Sequence, residues 1–450
     1  MANDGVLSAA SRVFRSPGLK FVLIAVLTVL MAVPLFFIQL ALADREERAA
    51  GAVQDVAAGW GGPQVVAGPV LLVPYTVQTE TTTPLGAATQ TVERHVAVVL
   101  PENLGIKAYA SEQTRWRGIF SVPVYRAALD LHATFDKAAL ARIAAISGAV
   151  LHWNEATISV LVTDPHGLAD SVAMTANGRT IAFQPGSGME EDGPAGIQAP
   201  LNLTAPADLT IDTHFALRGA RELSFAPLGR RTTASVQSTW ASPSFFGAFL
   251  PTERKLGKDG FTASWVVPYL ARGFGQSFPT AEKAGGVLLS AASGVKFYQP
   301  VDHYQLVERS LKYAIMFIAL AFLIFFVMET VSPRRLHAIQ YALVGAAQVL
   351  FYLLLLSFCE HIGFLPAYLV ASAATIALTS AYALSALASK ARAAVLCVNL
   401  TGLYVLLYVI LNAEDYALLI GSSLLFAALA ATMYVTRRID WYRRAEVQTA

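Results

Sequence analysis

Charge is scarce in this chain and cysteine scarcer still. Charged residues make up 14% of 450 positions, where soluble domains carry about 25%. That shortage, beside 55% apolar residues and a mean hydropathy of +0.50, excludes a disordered chain and argues against a soluble enzyme. An excess of one sign is also missing. The 33 Lys and Arg against 31 Asp and Glu leave a formal net charge of +2, so no overall field recruits nucleic acid. Two cysteines cannot build a disulfide framework. The eight histidines show no HExxH spacing, and neither CxxC nor Gly-x-Ser-x-Gly occurs. Zinc and α/β-hydrolase chemistry therefore lack their motifs. The clusters Gly61-Gly62 and Gly186-Ser187-Gly188 lack the strand-turn-helix setting of a phosphate loop. No metal and no cofactor is implied.

What the chain does have is long apolar runs. Residues 21–38 (FVLIAVLTVLMAVPLFFI) carry no charge and, continued to Ala43, can cross a hydrocarbon core of about 30 Å. Arg12, Arg15 and Lys20 precede them. The run exceeds a usual signal-peptide core of about 7–15 residues, so it reads as an uncleaved signal anchor over 19–43. The alternative is a cleaved signal peptide, because Ala41-Leu42-Ala43 resembles a peptidase site. Five more spans follow at 313–330, 338–358, 363–385, 393–411 and 416–436, each about the length a bilayer requires. Basic connections (Arg334 and Arg335; Lys390 and Arg392; Arg437, Arg438, Arg443 and Arg444) alternate with connections holding only Glu360 or Glu414-Asp415. By the positive-inside rule the N-terminus (1–18) and the tail (437–450) face the cytoplasm, and residues 44–310 lie outside it.

The 44–310 block holds 45 of the 64 Lys, Arg, Asp and Glu residues, as a water-facing domain should. Ala41–Ala58 reads as helix, stopped by Gly61, Gly62 and Pro63. Strands are expected from Val65–Tyr75, broken at Gly68-Pro69 and Pro74, through Val92–Leu100, Ile106–Tyr109, Ile119–Tyr125, Ala127–Phe135 and Ile158–Val162. In Ala127–Phe135, Leu129, Leu131, Ala133 and Phe135 share one face and Asp130, His132 and Thr134 the other, the period of a half-buried strand. A short helix fits Lys137–Ile146. Asn177-Gly178 suits a hairpin turn. Further strands fit Leu209–Arg218, Arg221–Pro227, Thr233–Thr239 and Thr262–Val267. Gln184–Pro200 reads as a surface loop and an internal boundary. Two β-rich lobes (60–185 and 200–300) or one large sheet structure both fit.

Several stretches are similar to one family. They are Trp60-Gly61-Gly62-Pro63-Gln64 with Gly68-Pro69 and Val73-Pro74-Tyr75, then Phe297–Tyr304, Arg309–Tyr313, Arg335-Leu336-His337 with Gln340-Tyr341, Leu353–Phe364, and Asn399 with Tyr404. With the arrangement of one span, a large domain and five spans, the whole chain resembles the CreD family of bacterial inner-membrane proteins. The resemblance implies a Gram-negative inner membrane, the domain in the periplasm, and an association with envelope integrity and colicin tolerance. It also implies expression under a two-component regulator. It brings no catalytic residue with it.

The residues that could carry function are few. Glu360-His361 lies near the outer end of the third span. An ionisable group there is costly unless paired or hydrated, although a short turn between Gly363 and Pro366 accounts for it blandly. Phe297–Tyr313 carries Asp302, His303 and Glu308 into the second span and reads as a connector or as a plain stalk. Glu308 and Lys312 form an i,i+4 pair. Gln340, Tyr341, Gln348, Asn399 and Tyr404 fit interhelical hydrogen bonding. Tyr75 and Phe246 sit in apolar stretches that are either contact surfaces or core. The expected architecture is a multi-pass α-helical membrane protein with six transmembrane helices and a large β-rich periplasmic domain between the first two. Its partners are the lipid bilayer and a periplasmic or inner-membrane protein, with no nucleic acid. Envelope support through binding or sensing is the leading function. A transporter or lipid-handling protein is the alternative and would need a polar groove in the bundle. An enzyme ranks last.

Overall fold

The computed structural model describes residues 17–82, 88–143, 149–169, 172–189, 193–297, 303–330, 336–413 and 416–437. The chain forms two compact parts, Met1–Arg48 with Val301–Ala450, and Ala49–Pro300. The division falls within one long helix.

The helical part begins with α1 (Pro17–Leu30) and α2 (Ala32–Trp60). They are separated at Met31, where Pro34 has no N–H to return to Leu30. Then come α5 (His303–Thr330), α6 (Ala338–Ile362), α7 (Phe364–Leu387), α8 (Lys390–Asn412) and α9 (Ala417–Thr436). Helices α3 (Lys137–Ile143) and α4 (Ala281–Ser290) belong to the other part. Among the described residues six helices are long and apolar enough to cross a membrane, the first running Lys20–Trp60, the same number as read from the sequence. Their outward faces remain apolar, with Phe37, Leu418 and Phe426 all exposed. Water does not tolerate such a surface in bulk, but lipid does. Inside the bundle Phe322 and Phe325 pack edge to face on Tyr341, and Phe351 does so on Tyr352 and Tyr368.

The second part is built from two sheets around one core. In the first, β14 (Pro243–Gly247), β18 (Ser293–Phe297), β12 (Glu222–Phe225), β1 (Gln64–Thr82), β6 (Thr157–Val162), β10 (Gly196–Pro200) and β9 (Gln184–Pro185) lie in that order. Strands β2 (Ala88–Val99), β5 (Ala149–Leu151) and β17 (Ser277–Phe278) attach at the side. The second runs β15 (Glu253–Gly257), β16 (Gly260–Pro268), β13 (Arg231–Ser238), β3 (Asn103–Arg117), β4 (Phe120–Phe135), β11 (Leu209–Ala220), β7 (Ala173–Ala176) and β8 (Arg179–Ile181). Period-two patterning places Leu129, Leu131, Ala133 and Phe135 of β4, with Ile211, Phe215 and Leu217 of β11, in the shared core. Helix α3 (Lys137–Ile143) follows β4, and α4 (Ala281–Ser290) packs its Ala284 and Leu288 into the core.

Three expectations need correction. Gly68-Pro69 and Pro74 do not break the first strand: β1 absorbs Pro69 at a register shift between Ala67 and Val70, keeps Pro74 in register opposite Val96, and runs on to Thr82. Ile119–Tyr125 and Ala127–Phe135 are one strand, β4. The stretch 184–200 is no boundary between lobes. Its last residues form β10, paired to β6, and each sheet draws strands from both sides of it. The Asn177-Gly178 turn is found as read, with both residues at positive φ between β7 and β8.

The Trp-Gly-Gly-Pro-Gln stretch proves to be a structural knot. Gln64 is fully buried; its amide donates to the carbonyls of Asp164 (3.0 Å) and Arg218 (3.1 Å) and accepts from the Asp164 N–H. Ser224 Oγ donates to the Gln64 carbonyl. Gly61 has φ +127°, and a Cβ there would lie 2.6 Å from the Arg218 carbonyl oxygen, so only glycine fits. Asp164 accepts from the N–H of Gly62 (2.8 Å) and from His166. Burial would raise its pKa, but these hydrogen bonds outweigh it and hold the carboxyl below its usual range.

Candidate functional site

Among the described residues of the helical part, two carboxylate side chains are buried, and each is tied to the first span. At the end of α5, Glu329 is 7% exposed and pairs with Lys20 of α1. Its Oε1 also accepts from the Leu336 N–H (3.0 Å), and its Oε2 from the Tyr341 hydroxyl (2.9 Å). Lys20 donates in addition to the Leu336 carbonyl at 3.1 Å. At the end of α6, Glu360 has a side chain 8% exposed; its Oε2 meets Arg45 of α2 at 3.4 Å, and its Oε1 accepts from the Tyr304 hydroxyl at 3.0 Å. Lys20 and Arg45 are 25 positions apart, about 37 Å along a helix. The two clamps therefore stand about one bilayer apart. Each buried charge is matched and hydrogen-bonded, as low dielectric requires.

Between the clamps lies an uncharged polar node. Tyr404 donates to Gln348 Oε1 at 2.6 Å, and Tyr368 donates to the Tyr404 carbonyl at 2.6 Å. Ser372, Thr375 and Thr379 line the buried face of α7. Gln348 Nε2 and Thr379 Oγ1 find no protein partner.

The residues singled out from sequence fare differently. Glu360 is a centre of contacts, but His361 is exposed. His303 is exposed at the start of α5, and Asp302 lies outside the described residues. Gln340 does not reach another helix: its Oε1 accepts from the His337 N–H at 2.8 Å, closing a capping box on α6. Asn399 donates to the Val395 carbonyl of its own helix. Tyr341 and Gln348 do make interhelical bonds. Glu308 and Lys312 pair at 3.0 Å. Tyr75 is buried, with its hydroxyl on the Pro279 carbonyl, so it offers no contact surface. Phe246 is half-buried on β14, with Lys296 Nζ 4.8 Å above its ring. Sequence reasoning missed Lys20, Arg45 and Glu329. Each stands at the charged fringe of an apolar run, where a charge ordinarily reads as a boundary. Both cysteines are free, as their separate helices suggest. Among the described residues no group of three or more His, Cys, Asp or Glu side chains could hold a metal ion.

Six apolar helices, two of them pinned through buried carboxylates, with a β domain inserted after the first, define a polytopic membrane protein with one large inserted domain. The family model for Inner membrane protein CreD matches residues 16–442, and the chain belongs to that family. Inner membrane protein CreD of Escherichia coli (strain K12) is 34% identical over 422 residues, spanning 92% of this chain and 91% of the relative. Among solved structures, an M1 zinc metallopeptidase from Deinococcus radiodurans aligns at 11% identity over 37% of this chain and 38% of its own. The TM-score is 0.19, too low for any conclusion.

Proposed function

We propose that this protein supports cell-envelope integrity from the inner membrane, with both termini in the cytoplasm. Its β domain stands in the periplasm and binds or senses an envelope component or partner protein. The alternation of basic and non-basic connections supports that orientation. The observation that carries the reading is the pair of clamps, Lys20 to Glu329 and Arg45 to Glu360. They hold the helix leading into the domain to the bundle at two levels, as an element that anchors or reports on the domain requires. Glu360, with His303 and Asp302 near the start of α5, is the proposed coupling region.

Two experiments test this. Single cysteines at Ala2 and Thr449, in a background without Cys359 and Cys397, are expected to resist impermeant thiol reagents in intact spheroplasts, while one at Leu250, which is exposed, reacts. The reverse pattern refutes the orientation. A photo-reactive residue at Phe246 in native membranes is expected to capture an envelope protein or glycan. Adducts with lipid alone refute binding at β14.

A transporter or lipid-handling role is the second reading. The polar seam of Gln348, Tyr404, Ser372, Thr375 and Thr379 favours it. Solute movement in proteoliposomes that Thr379→Val abolishes would place it first.

A further inference from the structure

The outer face of the eight-stranded sheet carries an arrangement that neither the helical clamps nor the family match explains. Cross-strand register aligns Gly105, His132, Asp212 and Thr175 in one row over β3, β4, β11 and β7. The next row holds Lys107, Asp130, His214 and Ala173. A third sets Tyr109, 48% exposed, beside Ala128 and Ala216. Rows are about 7 Å apart, two residues along a strand.

Each histidine meets the carboxylate directly opposite it in its row. His132 Nδ1 meets Asp212 Oδ1 at 2.6 Å, and His214 Nδ1 meets Asp130 Oδ1 at 2.6 Å. Each imidazole keeps Nε2 for another group, and each carboxylate keeps Oδ2. All four side chains are more than half exposed. Beside the small residues Gly105 and Ala173 a groove of about 490 Å³ runs along the first two rows, with Tyr109 in the row beyond it.

The chemistry selects among occupants. A metal is disfavoured, because each histidine turns to its own carboxylate and no three-ligand group exists among the described residues. A polyanion is disfavoured, because Asp130 and Asp212 outnumber Lys107. An apolar protein surface would meet one ring among charges. What fits is an uncharged ligand dense in hydroxyl and amide groups, with a flat apolar face to lie on Tyr109. We propose that this face binds a glycan of neutral hexose or acetamido-sugar rings. Asp130 and Asp212 accept from its hydroxyls, His132 and His214 hydrogen-bond through Nε2, and Tyr109 stacks on a ring. This rests on the reading of the β domain as the part that binds the envelope.

The test is calorimetric titration of the full-length protein in nanodiscs with chitotetraose. Saturable binding is expected. Tyr109→Ala and the pair Asp130→Asn with Asp212→Asn should each weaken it at least tenfold without moving Tm, and Tyr109→Phe should retain it. No saturable binding, or binding indifferent to these substitutions, overturns the proposal. So does Zn2+ binding that needs His132 and His214 in place of sugar. If chitotetraose fails while Phe246 still captures an envelope protein, this face is refuted and the envelope reading stands. If sugar binds but Phe246 captures only lipid, this face and the envelope reading both stand and Phe246 is refuted as the point of contact.

Discussion

Replacing Glu329 by Leu would strip three groups of their partner at once: the Lys20 ammonium, the Leu336 N–H and the Tyr341 hydroxyl. Breaking a buried ion pair from one side costs about 3–5 kcal/mol, because the surviving charge stays buried. Lys20 is 19% exposed and can extend its ammonium toward the interface, so the lower end applies, about 3 kcal/mol. For a unit of this size that is a fall in Tm of about 6–12 °C. Lys20→Met alone leaves the Glu329 carboxyl without its cation and should cost a similar amount. The double variant removes both charges, and exchange of a whole pair for apolar groups is often neutral. It should therefore lose much less than the sum, with a coupling of about 2 kcal/mol. The assay is thermal unfolding of the purified protein in detergent, followed by helical circular dichroism. If the two losses add within about 0.5 kcal/mol, the clamp does not stabilise the bundle and the reasoning fails.

Other outcomes follow from the same structure. Glu360→Gln should cost less than Glu329→Leu, about 1 kcal/mol, since Arg45 is 41% exposed and the Tyr304 bond can persist; a loss above that of Glu329→Leu in the same melt contradicts this ranking. Gln64→Leu should destabilise the β domain by about 2–4 kcal/mol, as it removes at once the bonds from the Gln64 amide to the Asp164 and Arg218 carbonyls and the partner of the Asp164 N–H; proteolysis of the domain near its melting temperature reads this directly. The lowered pKa of Asp164 means that its contribution is present above the unfolded carboxylate value and is lost as pH falls through the folded one. Acid unfolding below about pH 4 should therefore be shallower in Asp164→Asn than in the wild type, and equal slopes would contradict the assignment.

Much of the architecture was legible because its signals are local. The apolar runs, the alternation of Leu129, Leu131, Ala133 and Phe135, and the Asn177-Gly178 turn each need only neighbouring residues. Glu360 was legible as an anomaly, a charge at the edge of an apolar span, although its partners were not. Strand continuity was misjudged at Gly68-Pro69, where neighbouring strands, rather than propensity, hold β1 together across its irregularity.

By itself, then, the sequence determined six membrane-competent helices, a β-rich block between the first two, and the period-two face that carries Asp130 and His132. These follow from hydrophobicity and backbone period, which act over a few residues. Tertiary structure alone decided that Glu329 answers Lys20 and Glu360 answers Arg45, partners more than 300 positions apart. It also decided that β1 pairs in parallel with β12, and that Asp212 and His214 come to stand against His132 and Asp130. Such pairings depend on which surfaces meet when the apolar faces are buried. No local pattern specifies that meeting, because the loss of chain entropy it demands is compensated only by the whole core.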